Sequence, residues 1–174
     1  KVENELIVTD HIKLWGDYIF LDTEERRRFA EISHEYLIEQ LQINESEDSD
    51  YYELDFNHPV KEIIWIGKPI KPSNIGHGSA TPMPLNKEGN WNLIFNNVSR
   101  FSPRPLKYFT HTQVYQHHQG NANNGIAVYS FSINPKENQP SGTCNFSKID
   151  KAELNCDITN QELIIFAVNY NILR

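Results

Sequence analysis

Four side chains able to act as nucleophiles or ligands crowd one short stretch, "NQPSGTCNFSKID", Asn138 to Asp150. Ser141, Thr143, Cys144 and Ser147 surround Gly142, just after Gln139 and Pro140. Such a group supports three readings: a nucleophile loop, a metal ligand or a structural corner. A nucleophilic Cys144 needs a base held within hydrogen-bond reach, and nothing nearby in sequence supplies one. Ser141-Gly142-Thr143 lacks the Gly-Lys-Ser/Thr ending of a phosphate cradle, and the chain has no G-x-S-x-G elbow. The plain reading is a tight connection. Pro140 fixes φ, Gly142 permits a turn, Asn145 flanks it, and Cys144 and Phe146 pack inward.

Histidines are the next candidates. His117 and His118 are adjacent. In a strand, neighbouring side chains point to opposite faces, so the pair does not close on one metal. A cupin-type metalloenzyme needs His-x-His, and the sequence has none. His11, His34, His58, His77 and His111 are spread without ligand spacing. No metal, no cofactor and no catalysis are expected. Arg26, Arg27 and Arg28 occupy successive helical positions and point in three directions, so at most two serve one partner. They read as a solvated face or as intersubunit contacts. Three N-x-S/T triplets, at Asn44, Asn97 and Asn145, matter only in a secretory context.

These residues must be held by something, and the 174-residue chain is long enough to bury a sizeable core. Hydrophobic residues at 39% and charged residues at 22% are ordinary for a globular fold and argue against disorder. The net charge of −7, with basic residues scattered except at "ERRR", argues against direct nucleic-acid binding. No apolar run approaches the ~20 residues that span a bilayer. The chain opens with neither Met nor a signal peptide, which suggests a fragment, a processed product or one domain of a longer protein. Two cysteines, Cys144 and Cys156, are too few for a disulfide scaffold and fit a reducing compartment.

Strand signals dominate. "ENELIVTD" and "IKLWGDYIFL" open the series, with Ile12, Leu14, Tyr18 and Phe20 on one parity. "YYELDF", "KEIIWIG", "NWNLIF", "GIAVYSFSI", "AELNCDI" and "ELIIFAVNYNIL" follow, separated by Asn, Gly, Pro and Ser clusters. Many strands without intervening helices predict an all-β sandwich or barrel. One helix is expected near 23–32, capped by Asp22 with Glu25 three residues on, followed by a strand. Phe29, Ile32 and Tyr36 share a face that periodicity alone would extend to about 42. The Pro- and Gly-rich stretch 67–90 is a long functional or interaction loop, "QHHQGNANNG" a hairpin end, and "ESEDSD" a solvated turn.

Read together, "YIFLDTEERRRFAEISHEYLIEQLQ", "FNHPVKEIIWI", "VYSFSINPKENQPSGTCNFSKID" and "FAVNYNILR" closely resemble the major capsid proteins of the nucleocytoplasmic large DNA viruses. Order and spacing fit the C-terminal half of those proteins, and Gln139 to Asp150 is the strongest match. The resemblance implies a jelly-roll β-sandwich, one of two in tandem, with 1–174 as a single jelly roll and the N-terminal one absent. It implies homotrimeric, pseudo-hexagonal capsomers that tile an icosahedral shell around an internal membrane the chain does not span. Neighbouring capsomers and minor capsid proteins are the implied partners, and assembly is implied in the host cytoplasm. Gln139, Pro140, Ser141, Gly142, Thr143, Cys144, Asn145 and Phe146 would then form a corner between late strands. The alternative is a stand-alone jelly roll that binds a glycan or receptor through its long loops.

Overall fold

The computed structural model describes residues 13–46, 51–68, 84–85, 88–120, 125–158 and 161–174. The chain divides into two compact units, Lys1–Glu35 with Arg174, and Tyr36–Leu173. The expected strand "ENELIVTD", His11, His77, most of the 67–90 loop and parts of "ESEDSD" and "QHHQGNANNG" lie outside the described residues.

In the first unit, helix α1 spans Thr23–Glu31. Its start is the one the sequence announces. The Glu25 amide donates to Asp22 Oδ1 at 2.8 Å, and the Asp22 amide donates to Glu25 Oε2 at 3.4 Å, a closed capping box. The strand expected over "IKLWGDYIFL" is not there. Residues 13–22 form no ladder, and Leu14, Tyr18 and Phe20 are exposed. Alternation suits a residue to a pleated surface, but a strand exists only where a neighbour completes its hydrogen bonds.

Among the described residues, the second unit holds two antiparallel sheets of five strands each. The first is ordered β1 (Tyr36–Ser46), β10 (Leu163–Leu173), β3 (Pro59–Gly67) and β7 (Ile126–Ser130), with β8 (Cys144–Asn145) pairing the start of β3. The second is ordered β2 (Tyr51–Glu53), β9 (Ala152–Cys156), β4 (Asn90–Phe95) and β5 (Val98–Ser99), with β6 (Arg104–Pro105) pairing β4. First strand beside last, and third beside seventh, is jelly-roll order, which confirms the expected all-β fold.

Alternation builds the core between the sheets. Trp91 and Leu93 of β4 point in while Asn90 and Asn92 point out. Ile63 and Trp65 of β3 and Ile165 and Ala167 of β10 face them from the other sheet, each 1% exposed or less. Trp65 and Trp91 meet across the sandwich with ring centroids 5.7 Å apart. Between β4 and β5, Asn96 and Asn97 both adopt positive φ, the two-residue turn that matches strand twist.

One helical insertion was not expected. A π turn over Tyr108–Thr112 runs into helix α2, Gln113–His117. "KYFTHTQVYQH" is aromatic and β-branched, and no side chain caps its start, so the usual helix signals are missing. Packing decides instead. Phe109 is fully buried against Trp65 at 5.1 Å and Phe101 at 5.8 Å. Gln113 is buried beside it, donating to Tyr108 Oη and accepting from the Ser130 amide, both at 3.0 Å. The approach to "QHHQ" is therefore helical, not the arm of a hairpin.

Candidate functional site

The segment 138–150 begins where the chain returns from the loop after β7. Ser141 fastens the return. Its hydroxyl lies 2.6 Å from the Ser132 hydroxyl and accepts from the Asn134 amide at 2.9 Å. Gly142 follows at φ +141°, a region natural to glycine, and a Cβ there would lie 2.7 Å from the Phe131 carbonyl oxygen. Gln139, Pro140 and Thr143 stay exposed. Cys144 and Asn145 then pair with Val60 and Pro59 as β8.

Asn145 next caps a short 3₁₀ turn, Phe146–Lys148, by accepting from the Ser147 amide at 3.1 Å. The same turn grips the residue before β3. Ser147 Oγ accepts from the His58 amide at 2.8 Å, and the Phe146 amide donates to the His58 carbonyl at 3.0 Å. His58 holds φ +66°, a left-handed geometry fixed from both sides. Phe146 is 3% exposed and sits edge-on to Phe56, Phe95 and Phe131 at 5.9, 5.5 and 6.0 Å.

This geometry answers the chemical question. Burial pushes the Cys144 thiol above its ordinary value, against a smaller opposing pull from Arg100, so the reactive thiolate is disfavoured. Cys156 is raised for the same first cause. Ser141 is already committed to Ser132 and Asn134. Four of the described histidines bond away from Cys144: His34 to the Phe29 carbonyl, His111 to Thr110, His117 to the Ile133 carbonyl and His118 to Glu62, while His58 meets the segment through its backbone. His117 ends α2 and His118 caps it, so the strand geometry expected for that pair is corrected to a helix end. Among the described residues no group of three or more His, Cys, Asp or Glu could hold a metal ion. Ser141, Cys144, Asn145 and Phe146 thus bond this segment to the residues after β7 and to the start of β3.

Arg26, Arg27 and Arg28 lie in the first unit on α1, all exposed. Arg27 pairs with Glu24 at 3.0 Å and with Glu31 at 3.8 Å along its own helix. Arg28 lines a shallow recess with Glu25, Phe29, Ile32 and His34.

Sequence reasoning passed over a charged cluster beside the corner. Lys61 and Glu62 are buried where a bulge interrupts the β3–β10 register. Lys61 Nζ lies 2.6 Å from Glu39 Oε1 and donates to the Pro135 carbonyl at 2.8 Å, tying the outgoing loop to the sheet. His118 Nε2 lies 2.8 Å from Glu62 Oε2. The available signal was a charged pair inside the apolar run "PVKEIIWIG".

Known proteins are similar to this chain in sequence and in fold. A family model described as large eukaryotic DNA virus major capsid protein matches residues 25–174. The chain belongs to that family. It is 42% identical to the major capsid protein of Pyramimonas orientalis virus, over 95% of this chain and 46% of that protein. It is 36% identical to the major capsid protein of Paramecium bursaria Chlorella virus 1, over 94% of this chain and 51% of that protein. Among solved structures, the quasi-atomic model of the PBCV-1 virus capsid superimposes with a TM-score of 0.70 at 32% identity, covering 90% of this chain and 53% of that one. The chain thus spans about half the length of the relatives it matches.

Proposed function

We propose that this chain is the C-terminal jelly-roll half of a major capsid protein and that its work is symmetric self-association. The observation that carries the reading is the family match over 25–174, which takes in the entire β unit. In this reading three subunits form a pseudo-hexagonal capsomer, and capsomers tile an icosahedral shell with minor capsid proteins at their joints. The Gln139–Phe146 corner serves by fixing the sandwich, and Arg26, Arg27 and Arg28 are available for contacts between subunits. No reaction step enters this function.

The shell stands between the host cytoplasm, where it is put together, and an internal membrane. Among the described residues no helix is long and apolar enough to cross a membrane. The net charge of −7 supports contact with protein rather than with the packaged genome. Immunogold labelling of purified particles, with antibody raised against 36–173, tests the assignment. Dense, even decoration of the shell is expected. Particles that carry no label on opened or intact shells would overturn it.

A further inference from the structure

Charge is unevenly spread along this chain. The net charge is −7, yet between Glu88 and Glu137 there is no Asp or Glu and there are four Lys or Arg. Three of these, Arg100, Arg104 and Lys107, lie close together in sequence. The register brings the two arginines to one edge. Arg104 lies opposite Trp91, and the Arg100 amide donates to the Leu93 carbonyl at 2.7 Å, so both flank β4, about two residues or roughly 7 Å apart. Trp91 and Leu93 point into the core, and directly opposed residues share a face, so both arginines are rooted on the core side. Both are nevertheless exposed. They leave through the lateral edge of the sandwich, where β5 and β6 end one sheet and β7 ends the other.

That edge is lined with rings. Phe101 packs on Tyr129 at 5.0 Å and on Phe109 at 5.8 Å, and Tyr108 meets Phe109 at 5.0 Å. The Arg104 guanidinium lies over the Tyr108 ring, 5.6 Å from its centroid. Burial pushes the Tyr129 phenol up, and the Arg100 guanidinium beside it pulls the other way. Both cations are therefore positioned, but by a ring face and a neutral hydroxyl, neither of which cancels a charge. In the same unit Lys61, Lys68 and Lys151 each sit against a carboxylate, and among the described residues Arg100, Arg104 and Lys107 do not. We infer that this edge is a docking surface for a short acidic segment of a partner protein, its carboxylates taken by Arg100 and Arg104 with Lys107 beside them. Pro103 and Pro105 flank Arg104 and remove two amide donors, so a partner gains little by adding as a strand, and recognition falls to side chains. The offset of roughly 7 Å between the arginines matches alternate side chains of an extended peptide. The charge of the whole chain limits the length of the ligand. Screening at about 0.15 M salt acts over about 8 Å, so a short segment feels only the basic edge. A nucleic acid or an anionic membrane reaches past it onto a surface of net negative charge. The inference does not depend on the capsid reading above.

The test is fluorescence anisotropy of labelled hexaglutamate titrated with the full-length protein, unmodified and carrying Arg100→Gln with Arg104→Gln. Both positions are exposed, so the fold tolerates the change, and a cooperative melt checks it. Each single substitution is a further, independent variant. Arg27→Gln, whose charge is already met by Glu24 and Glu31, is the control. The unmodified protein and the control are expected to bind the peptide alike, each single variant more weakly, and the double variant at least about tenfold more weakly. Binding by the unmodified protein should weaken as salt rises. No binding by the unmodified protein, or a double variant that binds as well as it does, would overturn the inference. So would oligo-dT or phosphatidylserine vesicles that bind more tightly than hexaglutamate at about 0.15 M salt, since either result makes the edge a surface for a different partner. Shells that label in the immunogold experiment while the peptide fails to bind leave the capsid reading standing and remove only this surface.

Discussion

Replacing Gly142 with alanine should destabilise the sandwich, because two costs fall on one atom. The backbone sits at φ +141°, where a side chain adds about 1–3 kcal/mol of strain. The new Cβ would also lie 2.7 Å from the Phe131 carbonyl oxygen and 3.4 Å from the Ser132 Cα. Both are backbone atoms, and the carbonyl belongs to the strap that Ser132, Asn134 and Ser141 lock together, so neither swings aside cheaply. The sum is about 2–4 kcal/mol. With a urea dependence of about 2–3 kcal/mol/M for a chain of this size, the unfolding midpoint should fall by about 0.7–2 M. Gly120 supplies the control. It has no neighbour within 4 Å of an added Cβ, and alanine there should leave the midpoint unchanged or raise it slightly. Equal midpoints for Gly142→Ala and Gly120→Ala would refute the strained-corner argument.

Phe146→Ala should cost about 3–5 kcal/mol, since a buried ring edge-on to three others is lost and two sheets meet there; an unchanged denaturation midpoint would remove Phe146 from the core. Cys144→Ser should leave assembly intact, and native Cys144 should alkylate more slowly than a free thiol at pH 8, because burial keeps it protonated. Loss of assembly with the fold preserved, or alkylation faster than a free thiol, would reveal a thiol role. Asp157 accepts from the Asn90 side chain at 2.8 Å and from its amide at 2.6 Å, and these bonds hold its carboxyl below the usual value. The bond therefore contributes above the ordinary carboxylate pKa and is lost as pH falls through the depressed one. The Asn90 amide shift, followed by NMR, should titrate below the ordinary value, and a midpoint at or above it would contradict the arrangement.

Much of this architecture could be seen in the residues before any coordinates. β4 and β9 fall on the expected runs because each has one buried side, which writes period two into the sequence, and β3 and β10 because their runs are rich in apolar β-formers. Helix α1 was legible because its capping box is local. The errors have the opposite origin. "IKLWGDYIFL" has a strand's residues without a partner strand, and Tyr108–His117 became helical only because Phe109 and Gln113 are pinned by distant neighbours. At the corner, Pro140 and Gly142 announced a turn, and the inward packing of Phe146 followed from its type. What no local pattern contained was the Phe131 carbonyl that forbids a side chain at Gly142, or the grip of Ser147 on His58 across the fold. The division of the first sheet into inward and outward residues was also hidden. "EIIWIG" and "LIIFAV" read as continuous apolar runs, and only the cross-strand register separates the core-facing residues from those that face outward.

The central claim is symmetric assembly, and the mass of the full-length protein under native conditions tests it most directly. Native mass spectrometry with negative-stain imaging should show three subunits, each about twice the length of this chain, in particles of pseudo-hexagonal outline. Single subunits at every concentration, with no trimer and no lattice, would contradict the account.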